Sequence, residues 1–306
     1  MQALGGIEMA DTMRTRNMTA LTNWEVERYL ERNDVIFIPV GTVELHGPLP
    51  MDCEYVTVEA LAYKLAKVCD GLVLPHMIYF HPGATDIGRG TIYMSMTDGT
   101  AYLRAVAQSL LNQGFRRQVF LTGHGPAFMT VSPMLTQFLD ETKVPLLHYD
   151  LLDLSMEAGL DFRKIGMKGI DSMFYAGYKC MGRLDDVPVG LGDNPEIVIT
   201  PESDMGHGVP EGVIDLLQGH VRGYATAWKY GNVLEHGGDS YAVKDRADLE
   251  AVAAQGEAYL DEIVAKTNFP EKLEALRKLD RFHQEEILPR YGQWLVRNKY
   301  PDPKTE

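Results

Sequence analysis

The chain has 306 residues, 45% of them hydrophobic, enough to bury a sizeable core as one large α/β domain or two small ones. Its 43 acidic residues outnumber 29 basic ones, and a formal charge of -14 disfavours nucleic acid and anionic membranes as partners. No apolar run approaches the roughly 18 residues of a membrane span, the first residues lack a secretory apolar core, and the three cysteines show no CxxC spacing. A cytoplasmic protein with reduced thiols is the expectation.

Residues 1–19 carry no periodicity and read as a tail. Thr22 and Glu25 stand at capping-box spacing before Trp24, Val26, Tyr29 and Leu30, which predicts a short amphipathic helix. The run from Val35 to Val40, bounded by Asn33-Asp34 and Gly41, reads as a strand buried on both faces. A helix from about Val58 to Val68 leads to a strand at Leu72-Val73-Leu74. Leu103, Val106, Ala107, Leu110 and Leu111 fall on one helical face that Gly114 ends. A strand from Val119 to Leu121, a helix from about Val131 to Glu141 and a strand from Leu146 to Tyr149 follow. Such alternation predicts a three-layer α/β/α sandwich with a mainly parallel sheet, because parallel neighbours need crossover helices. Residues 151–198, rich in Gly, Met and aromatics, read as a long excursion over an active site. Residues 20–244 are expected to form the main domain, with 245–306 a helical extension packed upon it.

Chemistry concentrates at three places. Glu44 and His46, two apart just beyond the first strand, can present a carboxylate and an imidazole to one volume. Asp52 and Glu54 follow, and either can bring a carboxylate to the same ions. His124, between Gly123 and Gly125, sits past the strand ending at Leu121, and ligand sites of open α/β sheets form beyond strand carboxyl ends. His207 and Glu211 lie in a Gly/Pro-rich loop. Carboxylates and imidazoles without thiolate suit Zn²⁺, Mn²⁺ or similar ions, and two ions sharing a carboxylate would activate a water between them.

Four segments, in order, resemble the creatininase family: Val40-Gly41-Thr42-Val43-Glu44-Leu45-His46-Gly47-Pro48, Gly90-Thr91-Ile92-Tyr93-Met94-Ser95, Leu121-Thr122-Gly123-His124-Gly125, and His207 to Glu211. The resemblance runs from about Trp24 to Tyr230. It implies a creatininase-like three-layer sandwich, two divalent metal ions per chain (zinc or manganese) and a homo-oligomer, a hexamer in the family. Glu44 and His124 would hold one metal and His46 and Glu211 the other, with Glu54 or Asp52 bridging. Catalysis would rest on His207 as proton shuttle and on Glu211, with Arg89, Asp86 and Tyr175 as substrate contacts.

Departures from the family pattern are specific. The loop after Pro48 is one residue short and lacks a second His, Thr122 replaces Asn, and Pro126 stands where creatininase has Glu. Trp24, Trp228 and Trp294 all lie outside 151–211, whereas creatininase places tryptophans in its flap, so creatinine itself is disfavoured as substrate. The leading expectation is hydrolysis of a cyclic amide or related C–N bond in a small polar molecule. The alternative is hydrolytic C–C ring opening of an inositol-derived cyclic diketone such as 3-dehydro-scyllo-inosose. A non-catalytic metal-binding scaffold is the third reading, and the joint presence of Glu44, His46, His124, His207 and Glu211 argues against it.

Overall fold

The computed structural model describes residues 13–82, 90–191 and 242–292. Helix α1 (Asn23–Leu30) carries the predicted capping box, with Thr22 accepting from the Glu25 amide and the Glu25 side chain reaching back to Thr22. Strand β1 (Val35–Val40) is buried throughout, as its apolar run predicts. Then follow α2 (Cys53–Val68), β2 (Leu72–Val73), α3 (Met96–Gln113), β3 (Arg117–Thr122), α4 (Phe128–Thr142) and β4 (Leu147–Asp150). Helices α5 (Leu151–Glu157), α6 (Phe162–Cys180), α7 (Arg246–Lys266) and α8 (Phe269–Phe282) complete the main framework.

The four strands are parallel in the order β2-β1-β3-β4. From β1 the chain steps outward to β2, then returns past β1 to β3 and on to β4. Right-handed crossovers in opposite directions put their helices on opposite faces. Alternate strand residues divide accordingly. Val35, Phe37, Val119 and Leu121 pack with α2, α5, α6, α7 and α8, whereas Ile36, Ile38, Val40 and Phe120 pack with α1, α3 and α4. This is the predicted three-layer sandwich. The direction of winding reverses between β1 and β3, and a crevice at their carboxyl ends is the place where such a sheet binds ligands.

Two predicted boundaries are corrected. Helix α2 begins at Cys53, five residues before Val58, and its first two turns are almost wholly buried. Much of 151–198, expected as a long excursion over an active site, is helical: α6 runs through it with a kink at Gly166 (φ +67°), and Phe174, Tyr175 and Tyr178 are buried in the core. Helix α6 lies against α2 and α7. A hydrogen bond from the Gly190 amide to Val243 O (2.9 Å) and an ion pair between Arg246 and Asp185 (2.5 Å) join the chain before 192–241 to the chain after it. Among the described residues no helix is long and apolar enough to cross a membrane.

Candidate metal centre

The loop after β1 leaves the sheet at Gly41, where a Cβ would lie 2.5 Å from that of Tyr55. A Cβ at Gly123, just past β3, would meet Val58 Cγ1 at 3.0 Å. Both glycines therefore serve close approach, letting the first turns of α2 press against two strand ends at once. The loop is held from within by the Glu44 amide to Met51 O (2.9 Å). It is held from outside by the Leu45 amide to Thr91 Oγ1 (3.2 Å) and the Ile92 amide to Val43 O (3.0 Å).

Four side chains then meet. Glu44 is fully buried, and His46, Glu54 and His124 are 5%, 6% and 1% exposed. Glu54, in the first turn of α2, lies between the imidazoles: its Oε2 is 2.7 Å from His124 Nδ1 and its Oε1 is 3.4 Å from His46 Nε2. Glu44 Oε2 stands 3.1 Å from the same His124 Nδ1. The Thr42 hydroxyl sits between the carboxylates, 3.3 Å from Glu44 Oε2 and 3.2 Å from Glu54 Oε2. His46 Nδ1 is 3.1 Å from the Glu44 carbonyl. The tautomer that satisfies this contact carries its proton on Nδ1 and turns Nε2 toward Glu54, the arrangement that metal-ligating histidines adopt.

On His46, Glu54 and His124 burial opposes charge, and the attraction of their neighbours outweighs it. The Glu54 and Glu44 carboxylates lift His124 to about 10 despite desolvation. His46 is likewise raised against burial, beside the Cys53 thiol and Glu54. The two imidazoles hold the Glu54 carboxyl well below the usual range although burial pushes it up.

The donor set suits a divalent cation. Ligand atoms of Glu44, His46 and Glu54 all lie within 4.8 Å of one another. Glu44 Oε1 and His124 Nε2 are buried without a hydrogen-bond partner. An unsatisfied buried polar atom costs about 1–3 kcal/mol, so both positions call for a further ligand. Hard oxygen and borderline nitrogen donors match Zn²⁺ or Mn²⁺.

Other sequence candidates are placed differently. Asp52 accepts from the Tyr178 hydroxyl at 2.5 Å and pairs with Arg183 at 2.6 Å, so of the two candidate bridging carboxylates only Glu54 contacts the imidazoles. Tyr175, read as a substrate contact, is 1% exposed and buried within the apolar core. His207, Glu211, Asp86 and Arg89 lie outside the described residues. Sequence reasoning passed over Thr42, although its position two before Glu44 on an extended segment marks it as facing the same way.

A parallel α/β fold that gathers buried carboxylates and imidazoles at its winding reversal defines a metal-binding α/β protein. The chain matches the family model described as creatininase, creatinine amidohydrolase, over residues 19–172. It belongs to the creatininase family. It is similar to the 3-dehydro-scyllo-inosose hydrolase of Thermotoga maritima, 32% identical over 111 residues, a stretch that spans 36% of each chain. It is also similar in fold to a solved manganese creatininase (TM-score 0.52, 17% identity, 82% of this chain and 97% of that one). A solved zinc-zinc form of a creatininase mutant is as similar (TM-score 0.52, 17% identity, 83% and 97%).

Proposed function

We propose that this chain is a metal-dependent hydrolase that opens a small polar cyclic carbonyl compound. The observation carrying the proposal is the Glu54 carboxylate held between two imidazoles, 2.7 Å from one and 3.4 Å from the other, in a buried donor set at the sheet's winding reversal. Glu44 and His124 would hold one cation, His46 and Glu211 a second, and Glu54 would bridge them. When bound, Zn²⁺ or Mn²⁺ supplies Lewis acidity toward a carbonyl oxygen and acidifies a water toward neutral pH. The Thr42 hydroxyl can donate its one proton to either carboxylate, and the burial of Glu44, His46, Glu54 and His124 strengthens the charge interactions among them. His207 would carry the proton to the leaving group, as an imidazole can near neutral pH.

Similarity to the inosose hydrolase supports C–C ring opening of an inositol-derived cyclic diketone as the reaction. The family description supports a second reading, cleavage of a cyclic amide C–N bond. The working form is proposed as a cytoplasmic homo-oligomer, a hexamer on the family pattern. Zinc- and manganese-loaded protein should be assayed against 3-dehydro-scyllo-inosose and a panel of cyclic ureides and lactams. Turnover of the diketone alone supports ring opening, and turnover of the amides alone supports the second reading. Protein that retains no cation and turns over neither class removes the hydrolase proposal.

A further inference from the structure

The chain spends an acidic side chain just before α2 in an unusual way. Asp52 occupies the N-cap position of α2, where an Asp side chain ordinarily accepts from the helix's first amides, yet it makes no such bond. Both carboxylate oxygens are committed elsewhere. Oδ1 accepts from the Tyr178 hydroxyl (2.5 Å) and Oδ2 from Arg183 Nη1 (2.6 Å). Arg183 is itself fixed, its Nε donating to Asp186 Oδ2 (2.7 Å) and its guanidinium lying 5.3 Å from the centre of the Tyr178 ring. Tyr178 is fully buried near the end of α6. Two residues beyond Asp52, Glu54 is the carboxylate that both imidazoles face.

We propose that Asp52, Tyr178 and Arg183 are positioning residues for the metal centre: they anchor the start of α2 to the end of α6 and so set where Glu54 stands between His46 and His124. The inference rests on the metal-dependent reading above. A ligand carried on a helix's first turn is only as well placed as that turn. Here the Asp52 carboxylate has exchanged one charge-assisted bond, to its own helix's amides, for two, from the Tyr178 hydroxyl and the Arg183 guanidinium, that reach across to α6 and the chain after it. Groups that orient metal ligands commonly affect affinity about 10- to 100-fold without touching the ion.

The test is Zn²⁺ affinity, by competition with a chromogenic chelator, and the visible absorption of the Co²⁺-substituted protein, in Asp52→Asn, Arg183→Gln, Arg183→Lys and Tyr178→Phe. Arg116→Gln is the control, because the Arg116–Asp280 ion pair lies away from the metal centre and has nearly the same exposure, 40%/17% against 40%/18%. Asp52→Asn and Arg183→Gln should lose about 10-fold or more in affinity and alter the Co²⁺ spectrum. Arg183→Lys, which keeps charge but not the fork, should recover part of it. Tyr178→Phe, the mildest change, should lose a few-fold, which keeps the test open should a charge variant fold poorly. Arg116→Gln should lower the melting temperature while leaving affinity and spectrum intact. Wild-type binding with clamp variants that match it in affinity and spectrum overturns the clamp alone. A wild type that binds no ion overturns the metal reading with it.

Discussion

Replacing Glu54 by Gln keeps the shape of the side chain and removes the charge that both imidazoles face. In the metal-free protein, lifting His124 from 6.5 to about 10 corresponds to roughly 4–5 kcal/mol of favourable interaction. Glu44, 3.1 Å from the same nitrogen, shares in it, so about half, on the order of 2 kcal/mol, should leave with Glu54. The folded-state pKa of His124 lies above its unfolded value. The contribution is therefore complete below about 6.5 and disappears as pH rises through about 10. Metal-free Glu54→Gln should melt about 3 °C below wild type at pH 6.5, and the gap should close toward pH 10. Zinc titration of the same samples should show affinity reduced at least about 10-fold, since a neutral amide is a poorer metal ligand than a carboxylate. Equal melting temperatures at pH 6.5, together with equal zinc affinity, would refute the assignment of Glu54 as the charge between the imidazoles.

Three further outcomes are expected. Burial pushes Asp150 up to about 7, against the pull of the Leu152 amide and the Thr122 hydroxyl, so the folded state holds an extra proton between about 4 and 7 and loses stability as pH rises through that window. Asp150→Asn, which can keep both contacts, should therefore be more stable than wild type at pH 8, by roughly 2–4 kcal/mol in denaturant unfolding, and near parity at pH 4. A Cβ at Gly256 would lie 1.8 Å from Ser172 O, so Gly256→Ala should cost about 3 kcal/mol by forcing α7 off α6, whereas Gly159→Ala (φ +84°, in open space) should cost only about 1–2 kcal/mol of backbone strain; equal losses in urea would contradict this packing. Zinc added to chelator-treated protein at 100 times its dissociation constant should stabilise the fold by about 2.7 kcal/mol, read as a rise in melting temperature that His46→Ala and His124→Ala lose.

The sheet and its helices were legible because their signals are local. The six-residue apolar run of β1, the capping box of α1 and the Gly114 stop of α3 each specify an element without help from distant residues. The start of α2 was hidden for two reasons. Its early turns are buried on nearly every side, which erases the amphipathic period, and its acidic cap residue is engaged by Arg183 and Tyr178. Helix α6 was misread because its glycines look like loop residues; Gly177 instead lets α6 reach α2, where a Cβ would stand 2.7 Å from Thr57 Cα. At the site, Glu44, His46 and His124 were readable from strand ends and spacing, whereas the choice between Asp52 and Glu54 depended on partners more than a hundred residues away.

The bond from Gly190 to Val243 closes the chain on itself at the base of the stretch that carries His207 and Glu211. The entropic cost of bringing two chain positions together grows only slowly with the number of residues between them. The framework that carries Glu44, His46, Glu54 and His124 is therefore closed by its own contacts on both sides of residues 192–241, whatever their number.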